Sequence, residues 1–207
     1  VDGDGIGDFL VSGHLSDWNG SDSGAAYLVL GGNMAHSIEG EPNAWGSLRS
    51  FDESQDAEYS FEGEAAEDYA GFAISSAGDV DGDGLDDLLV SAPYSGEAGA
   101  LAGKAYLILA ASLSEVGPED NGLNISLANA DYHFLGEAEY DYAGYSVAGV
   151  GDVDGDGLGD LLFGAPYSDE GGINRGKAYL FLGASLATPG SYGMETADYQ
   201  FTGEVNV

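Results

Sequence analysis

The chain has 207 residues, and 37 Asp and Glu against 4 Lys and Arg give it a formal net charge of −33. A field of that sign repels phosphates and anionic headgroups, which argues against nucleic acid and against a lipid surface as partners. With 43% hydrophobic and 11% aromatic residues the chain has the apolar content to fold, and with no Cys it has neither disulfides nor a thiolate metal site.

The first segment, DGDGIGDFLVSG (Asp2 to Gly13), is an acidic, glycine-studded turn running into a short apolar stretch; GAAYLVLGG (Gly24 to Gly32) and YSFEGE (Tyr59 to Glu64) follow. Next come AGFAISSA (Ala70 to Ala77), the turn DVDGDG (Asp79 to Gly84), DLLVSAP (Asp87 to Pro93), KAYLILA (Lys104 to Ala110) and YHFLGE (Tyr132 to Glu137). The apolar pieces have strand length and are bounded by Gly, Asp, Pro and Ser. They are too short, and too closely flanked by glycine, for buried helices. The longest runs, such as AYLILAA (Ala105 to Ala111), are also far too short to span a bilayer, so no membrane insertion is expected.

The series then returns. YSFEGEAAEDYAGFAISSAGDVDGDGLDDLLVSAPYS (Tyr59 to Ser95) realigns without a gap with YHFLGEAEYDYAGYSVAGVGDVDGDGLGDLLFGAPYS (Tyr132 to Ser168), an offset of 73 residues, and GKAYL follows both, at Gly103 and Gly176. A partial copy, YQFTGE, lies at Tyr199 to Glu204. Four strands per unit of about seventy residues, repeated, describe the four-stranded antiparallel blades of a β-propeller. The expected fold is all-β, one propeller segment of about three blades: residues 1–64, lacking a first strand, 65–137 and 138–207. Propellers normally close with four to eight blades. The segment is therefore expected to be part of a larger propeller, excised or partly represented, with the remaining blades supplied by the same chain or by neighbouring subunits.

In D-V-D-G-D-G-L-D-D the acids fall at positions 1, 3, 5 and 9. Carboxylates at alternate positions of a tight turn can converge on one hard cation, the glycines permit positive φ, and position 7 can add a backbone carbonyl. Such an oxygen-only cage suits Ca²⁺; Mg²⁺ prefers to keep several waters. The second site is expected at Asp79, Asp81, Asp83, the Leu85 carbonyl and Asp87, and the third at Asp152, Asp154, Asp156, the Leu158 carbonyl and Asp160. The first retains Asp2, Asp4, the Ile6 carbonyl and Asp8 but has no position 1. An EF-hand would need a bidentate Glu at position 12, where Val90 and Phe163 stand.

The phrases DVDGDGLDDLLVSAP and DVDGDGLGDLLFGAP resemble the FG-GAP repeats that form the β-propeller of integrin α-subunits and their bacterial relatives. Gly164-Ala165-Pro166 reproduces the second half of that name and Ser91-Ala92-Pro93 approximates it. Ala70-Gly71 and Ala143-Gly144 stand at the first half, and Gly13-His14-Leu15 replaces the Ala-Pro-Tyr phrase in the first copy. The resemblance implies a bacterial or otherwise non-animal relative, Ca²⁺ between the first two strands of a blade, and ligand contact on the opposite face.

No catalytic constellation is read from the sequence. His14, His36 and His133 have no metal-ligand spacing, His133 reads as a strand-face residue, and no G-x-S-x-G occurs. Carboxylate pairs such as Glu64 with Glu67 and Glu137 with Glu139 are expected by chance in so acidic a chain. Asn19-Gly20-Ser21 and Asn124-Ile125-Ser126 match the N-glycosylation sequon, which matters only in a secretory host. The stretches Ser95 to Ala102 and Ser168 to Arg175 differ between copies whose framework barely changes, and variable loops on a fixed scaffold are where recognition usually sits. Together with the acidic segments Glu64 to Tyr69 and Glu137 to Tyr142, and with Tyr94, Tyr142 and Tyr167 as rigid anchors, they are expected to receive a protein or glycan ligand. The expectation is a non-enzymatic, Ca²⁺-binding adhesion or recognition module, extracellular, on a cell surface or secreted, in a saline setting. The alternatives are a propeller attached to a secreted hydrolase and a structural module of a surface assembly or fibre.

Overall fold

The computed structural model describes residues 1–32, 57–114 and 123–204, and the described residues form three sheets. The first sheet contains β1 (Phe9–Ser12), β2 (Ala25–Val29), β3 (Tyr59–Glu62) and β7 (Leu123–Ser126). In the second, β4 (Ile74–Gly78), β5 (Asp87–Ala92), β6 (Lys104–Ile108) and β8 (Tyr132–Leu135) lie side by side, and β12 (Gly190–Gly193) flanks β8. The third runs β9 (Ser146–Gly151), β10 (Asp160–Ala165), β11 (Lys177–Phe181) and β13 (Tyr199–Thr202). These are propeller blades, and the repeat reaches into their register: Leu88 faces Ile108 and Val90 faces Tyr106, as Leu161 faces Phe181 and Phe163 faces Tyr179.

The apolar alternation of these strands is blurred for a packing reason. Every residue of β5 and of β6 is buried, because the second sheet is covered on both faces. Leu88, Val90, Tyr106 and Ile108 join Ala26, Leu28 and Phe61 of the first sheet in one core. Leu89, Leu107 and Phe134 join Leu161, Phe163, Tyr179 and Phe181 of the third in another. Burial in β11 alternates, since only one face of the third sheet is covered. Gly103 lets the sheets come this close: its φ is +89°, and a Cβ there would strike the Ala143 backbone, with which it forms a parallel bridge.

Two strands fall outside the expected four per blade. After β6 the chain forms a one-turn helix (Ala110–Ser114); it later returns as β7, which pairs in parallel with β3 of the preceding sheet before β8 begins. After β11 it does the same, β12 pairing in parallel with β8. Each later repeat thus lends a strap to the outer edge of the sheet before it. The Tyr59 hydroxyl donates to the Leu113 carbonyl (3.1 Å) and that of Tyr132 to the Leu186 carbonyl (2.9 Å), fastening both straps alike.

Candidate metal centres and the opposite face

The second and third Asp-rich turns each join the first two antiparallel strands of a blade, and the first leads into β1, so the turns gather at one end of the sheets. Between β4 and β5, Gly82 and Gly84 adopt φ of +81° and +91°. Their N–H groups donate to the Asp79 carboxylate at 2.7 and 2.9 Å. Asp81 accepts from the Asp83 N–H at 3.1 Å, and Asp83 from the Leu85 N–H at 2.8 Å. Between β9 and β10, Asp152 accepts from the N–H groups of Gly155, Asp156 and Gly157, and Asp156 from that of Leu158. The first turn keeps the pattern with Asp4 N–H to Asp2 and Ile6 N–H to Asp4. Neighbouring turns touch: the Gly159 N–H donates to the Asp79 carbonyl at 2.6 Å.

Two sets of three acids converge. Carboxylate oxygens of Asp79, Asp81 and Asp87 lie within 4.8 Å of one another, as do those of Asp152, Asp154 and Asp156. Among the described residues, Asp83, Asp160 and the first turn's Asp2, Asp4 and Asp8 stand outside such a grouping. Burial, with the like charges of Asp81 and Asp83, pushes the Asp87 carboxyl up to about 6 against the N–H groups of Ala110 and Val80. Loss of solvent and the charges of Asp156, Asp160 and Asp152 raise Asp154, whereas the Gly157 N–H leads the hydrogen bonds that hold Asp152 below the usual range. Converging like charges with hard oxygen donors fit a divalent cation, which would offset the like-charge share of the rise at Asp87 and Asp154.

The ninth-position acids have a further role. Asp87 accepts the Val80 N–H on one oxygen and the Ala110 N–H on the other, and Asp160 does the same with Val153 and Gly183. Asp8 accepts from the Gly31 N–H at 2.9 Å. This carboxylate closes the turn onto the sheet whether or not it also meets a cation.

At the other end of the sheets lie the connections from second to third strand and the turns between blades. A chain of rings crosses this end: Tyr69–Tyr94 at 4.8 Å, Phe72–Tyr145 at 4.8 Å, Tyr94–Tyr142 at 5.2 Å and Tyr142–Tyr167 at 5.2 Å between centroids. Tyr145 and Tyr167 are exposed, while Tyr69, Phe72, Tyr94 and Tyr142 are half-buried. Tyr69 and Tyr142 both hold φ of +54°, a left-handed backbone that a bulky residue keeps only where its surroundings fix it. His14 packs edge-on against Phe72, and half-buried His133 lies on β8 against the Tyr106 ring. His36 lies outside the described residues. Asn19 of the first sequon donates its amide to the Gly63 carbonyl, and Asn124 of the second accepts from the Ser60 hydroxyl.

Lys104 and Lys177, which sequence reasoning did not single out, lie buried at this end between pairs of glutamates. The signal available was their placement: the chain has two lysines, both in GKAYL.

Repeated antiparallel blades with an acidic turn at one end and an aromatic, loop-built surface at the other define a β-propeller repeat protein. A family profile for the FG-GAP repeat matches residues 70–108 and 143–181. Over 182 residues the chain is 31% identical to integrin alpha-PS2 of Drosophila melanogaster, a match covering 87% of this chain and 12% of that protein. It is 34% identical over 133 residues to integrin alpha-5 of Xenopus laevis, covering 60% of this chain and 11% of the relative. Phosphatidylinositol-glycan-specific phospholipase D of Dictyostelium discoideum is 27% identical over 212 residues, covering all of this chain and 21% of that protein. The chain belongs to the FG-GAP, integrin α propeller family, and it spans about an eighth of the length of the integrin relatives it matches.

Proposed function

We propose that this chain is a Ca²⁺-stabilised propeller module that recognises a protein or glycan partner on the face opposite its Asp turns, outside the cytosol, without catalysing a reaction itself. The observation that carries the reading is the pair of three-carboxylate clusters at equivalent turns of successive blades. Asp79, Asp81 and Asp87 would hold one ion, with Asp83 and the Leu85 carbonyl completing the cage; Asp152, Asp154 and Asp156 would hold the other, with the Leu158 carbonyl and Asp160. The ion would contribute charge neutralisation and shape, fixing turns that already touch one another. Extracellular Ca²⁺ is plentiful enough to fill weak sites, which supports a location outside the cell. Among the described residues no helix is long and apolar enough to cross a membrane. The recognition face is supported by its variable loops, its ring array and the strained Tyr69 and Tyr142.

Calorimetric titration with Ca²⁺, paired with melting in excess chelator, tests the metal. Two binding events and a Tm that rises with Ca²⁺ are expected, since an ion that binds only the folded state stabilises it by mass action. Asp81→Ala and Asp154→Ala should each remove one event. No heat and no change in Tm at millimolar Ca²⁺ would sink the assignment. Tyr94→Ala and Tyr167→Ala should weaken partner binding while leaving Ca²⁺ affinity unchanged. Loss of binding only on substitution of the Asp turns, in protein that stays folded, would instead make the metal face the recognition face.

A second reading, in which the propeller accompanies a catalytic domain elsewhere in a longer protein, is favoured by the match to a phospholipase D along the whole of this chain. Sequencing the complete gene discriminates the two.

A further inference from the structure

We propose that Lys104 and Lys177 are positioning residues for the recognition face, each a buried ammonium that ties the turn leaving one blade to the variable loop of the next. The inference rests on the assignment of that face above.

Both lysines begin the third strand of a blade, β6 or β11, and both are buried. The Lys104 ammonium lies 2.6 Å from Glu64 and is paired with Glu97 as well. That of Lys177 lies 2.6 Å from Glu137 and is paired with Glu170. Glu64 and Glu137 stand just past the last strand of the preceding sheet, and Glu97 and Glu170 stand within the stretches Ser95 to Ala102 and Ser168 to Arg175. One cation therefore clamps three segments: a strand, an inter-blade turn and a variable loop. The Tyr106 and Tyr179 rings lie 5.0 and 5.1 Å from the two ammonium groups, and the Tyr179 hydroxyl donates to Glu137 at 2.9 Å.

The charges behave as bonded partners. Burial raises the Glu64 carboxyl, but the hydrogen bond and charge of Lys104 outweigh it and hold the group below its usual range; Lys177, helped by Tyr179, does the same to Glu137. Burial lowers Lys177, and Glu137 and Glu170 overcome it and raise the ammonium above its usual value. Only the ammonium is fully buried, and it is compensated by two carboxylates at once.

A blade does not need this lysine in order to form. In the first repeat Ala25 occupies the matching place, is buried, and β2 pairs with β1 and β3 as its counterparts do. In that repeat the loop between β1 and β2 is tied instead to the turn after its own blade, by the Asn19 amide donating to the Gly63 carbonyl at 2.7 Å. What the lysine adds in the second and third repeats is a fixed pose for a loop that differs between copies. A rigid loop loses less freedom when a partner docks.

Hydrogen–deuterium exchange on the intact chain, with saturating Ca²⁺, tests the clamp without needing the partner. In Lys104→Met the loop amides of Ala102 and Gly103, bonded to Gly99 and Ser95, should exchange about tenfold faster, while Leu89 and Leu107 in the sheet keep their protection and Ca²⁺ affinity is unchanged. Glu97→Gln, a substitution at a largely exposed side chain, should give the same pattern if the lysine variant does not fold, and Lys104→Arg should restore part of the protection. Unchanged loop exchange in both Lys104→Met and Glu97→Gln would overturn the proposal. So would equal loss of protection in loop and sheet, which is the signature of a general structural role. A clamp that passes while Tyr94→Ala and Tyr167→Ala leave partner binding intact would retain the positioning and discard the recognition face.

Discussion

Asp87 commits both carboxylate oxygens to backbone N–H groups, one inside its own turn and one at the start of the helix that follows β6. Its side chain is thus a structural clasp as well as a candidate metal ligand. Asp87→Ala leaves two buried donors without acceptors, each costing about 1–3 kcal/mol. Urea unfolding in chelator should show a loss of roughly 2–6 kcal/mol, and a loss seen only with Ca²⁺ present would mean that the clasp depends on the ion. Asp68 carries a different prediction. Burial, with the charges of Glu64 and Glu97, pushes its carboxyl up to about 6 against Ser95 and Lys104, well above its value in an unfolded chain. The folded state therefore binds this proton more tightly, so the group's contribution to stability grows as pH falls from above 6 toward 4 and is absent at higher pH. Asp68→Asn should stabilise the protein at pH 7.5 and make no difference near pH 4. Equal effects at both values, read from unfolding free energies, would contradict the shift.

At the level of elements, β5, β6, β8, β10 and β11 were legible because their apolar runs stop at Gly, Asp or Pro, and the matching phrases fixed their equivalence. The phrase AGFAISSA predicts a strand from Ala70, yet β4 begins at Ile74, because the chain before it bends through Gly71 at φ +81°. The straps β7 and β12 were not legible. LNIS and GSYG are short and unlike each other, and what makes them strands is a partner in the preceding sheet. Backbone groups pair wherever an edge is open, and a local pattern cannot announce an edge that a different repeat provides. The lysine clamps were hidden for the same reason: Glu64 and Lys104, like Glu137 and Lys177, are 40 residues apart and meet only after two sheets have packed.

The whole molecule assigns different surroundings to near-copies of one phrase. Phe134, in YHFLGE, is fully buried against Phe163 and Phe181, whereas Phe201, in YQFTGE, is 56% exposed on the uncovered face of the third sheet. Phe134→Ala should therefore cost about 3–5 kcal/mol and Phe201→Ala no more than about 1, measured by chemical denaturation of this chain. Similar losses at both positions would mean that something covers the third sheet in solution. Sequence alone could not have ranked these two phenylalanines, because burial belongs to the stacking of sheets and not to the phrase that builds each one.

By itself the sequence determined the repeat, the all-β blades and the positions of the acidic turns, since these follow from local chemistry: strand-length apolar runs, glycines where φ must be positive, and carboxylates at alternate positions of a turn. Only the tertiary structure decided which three carboxylates converge in the second and third turns, that the ninth-position Asp also clasps the backbone, which sheet lends a strap to which, and that the two lysines are buried clamps. Those outcomes depend on contacts between residues tens of positions apart, whose distances are set by how twisted sheets stack.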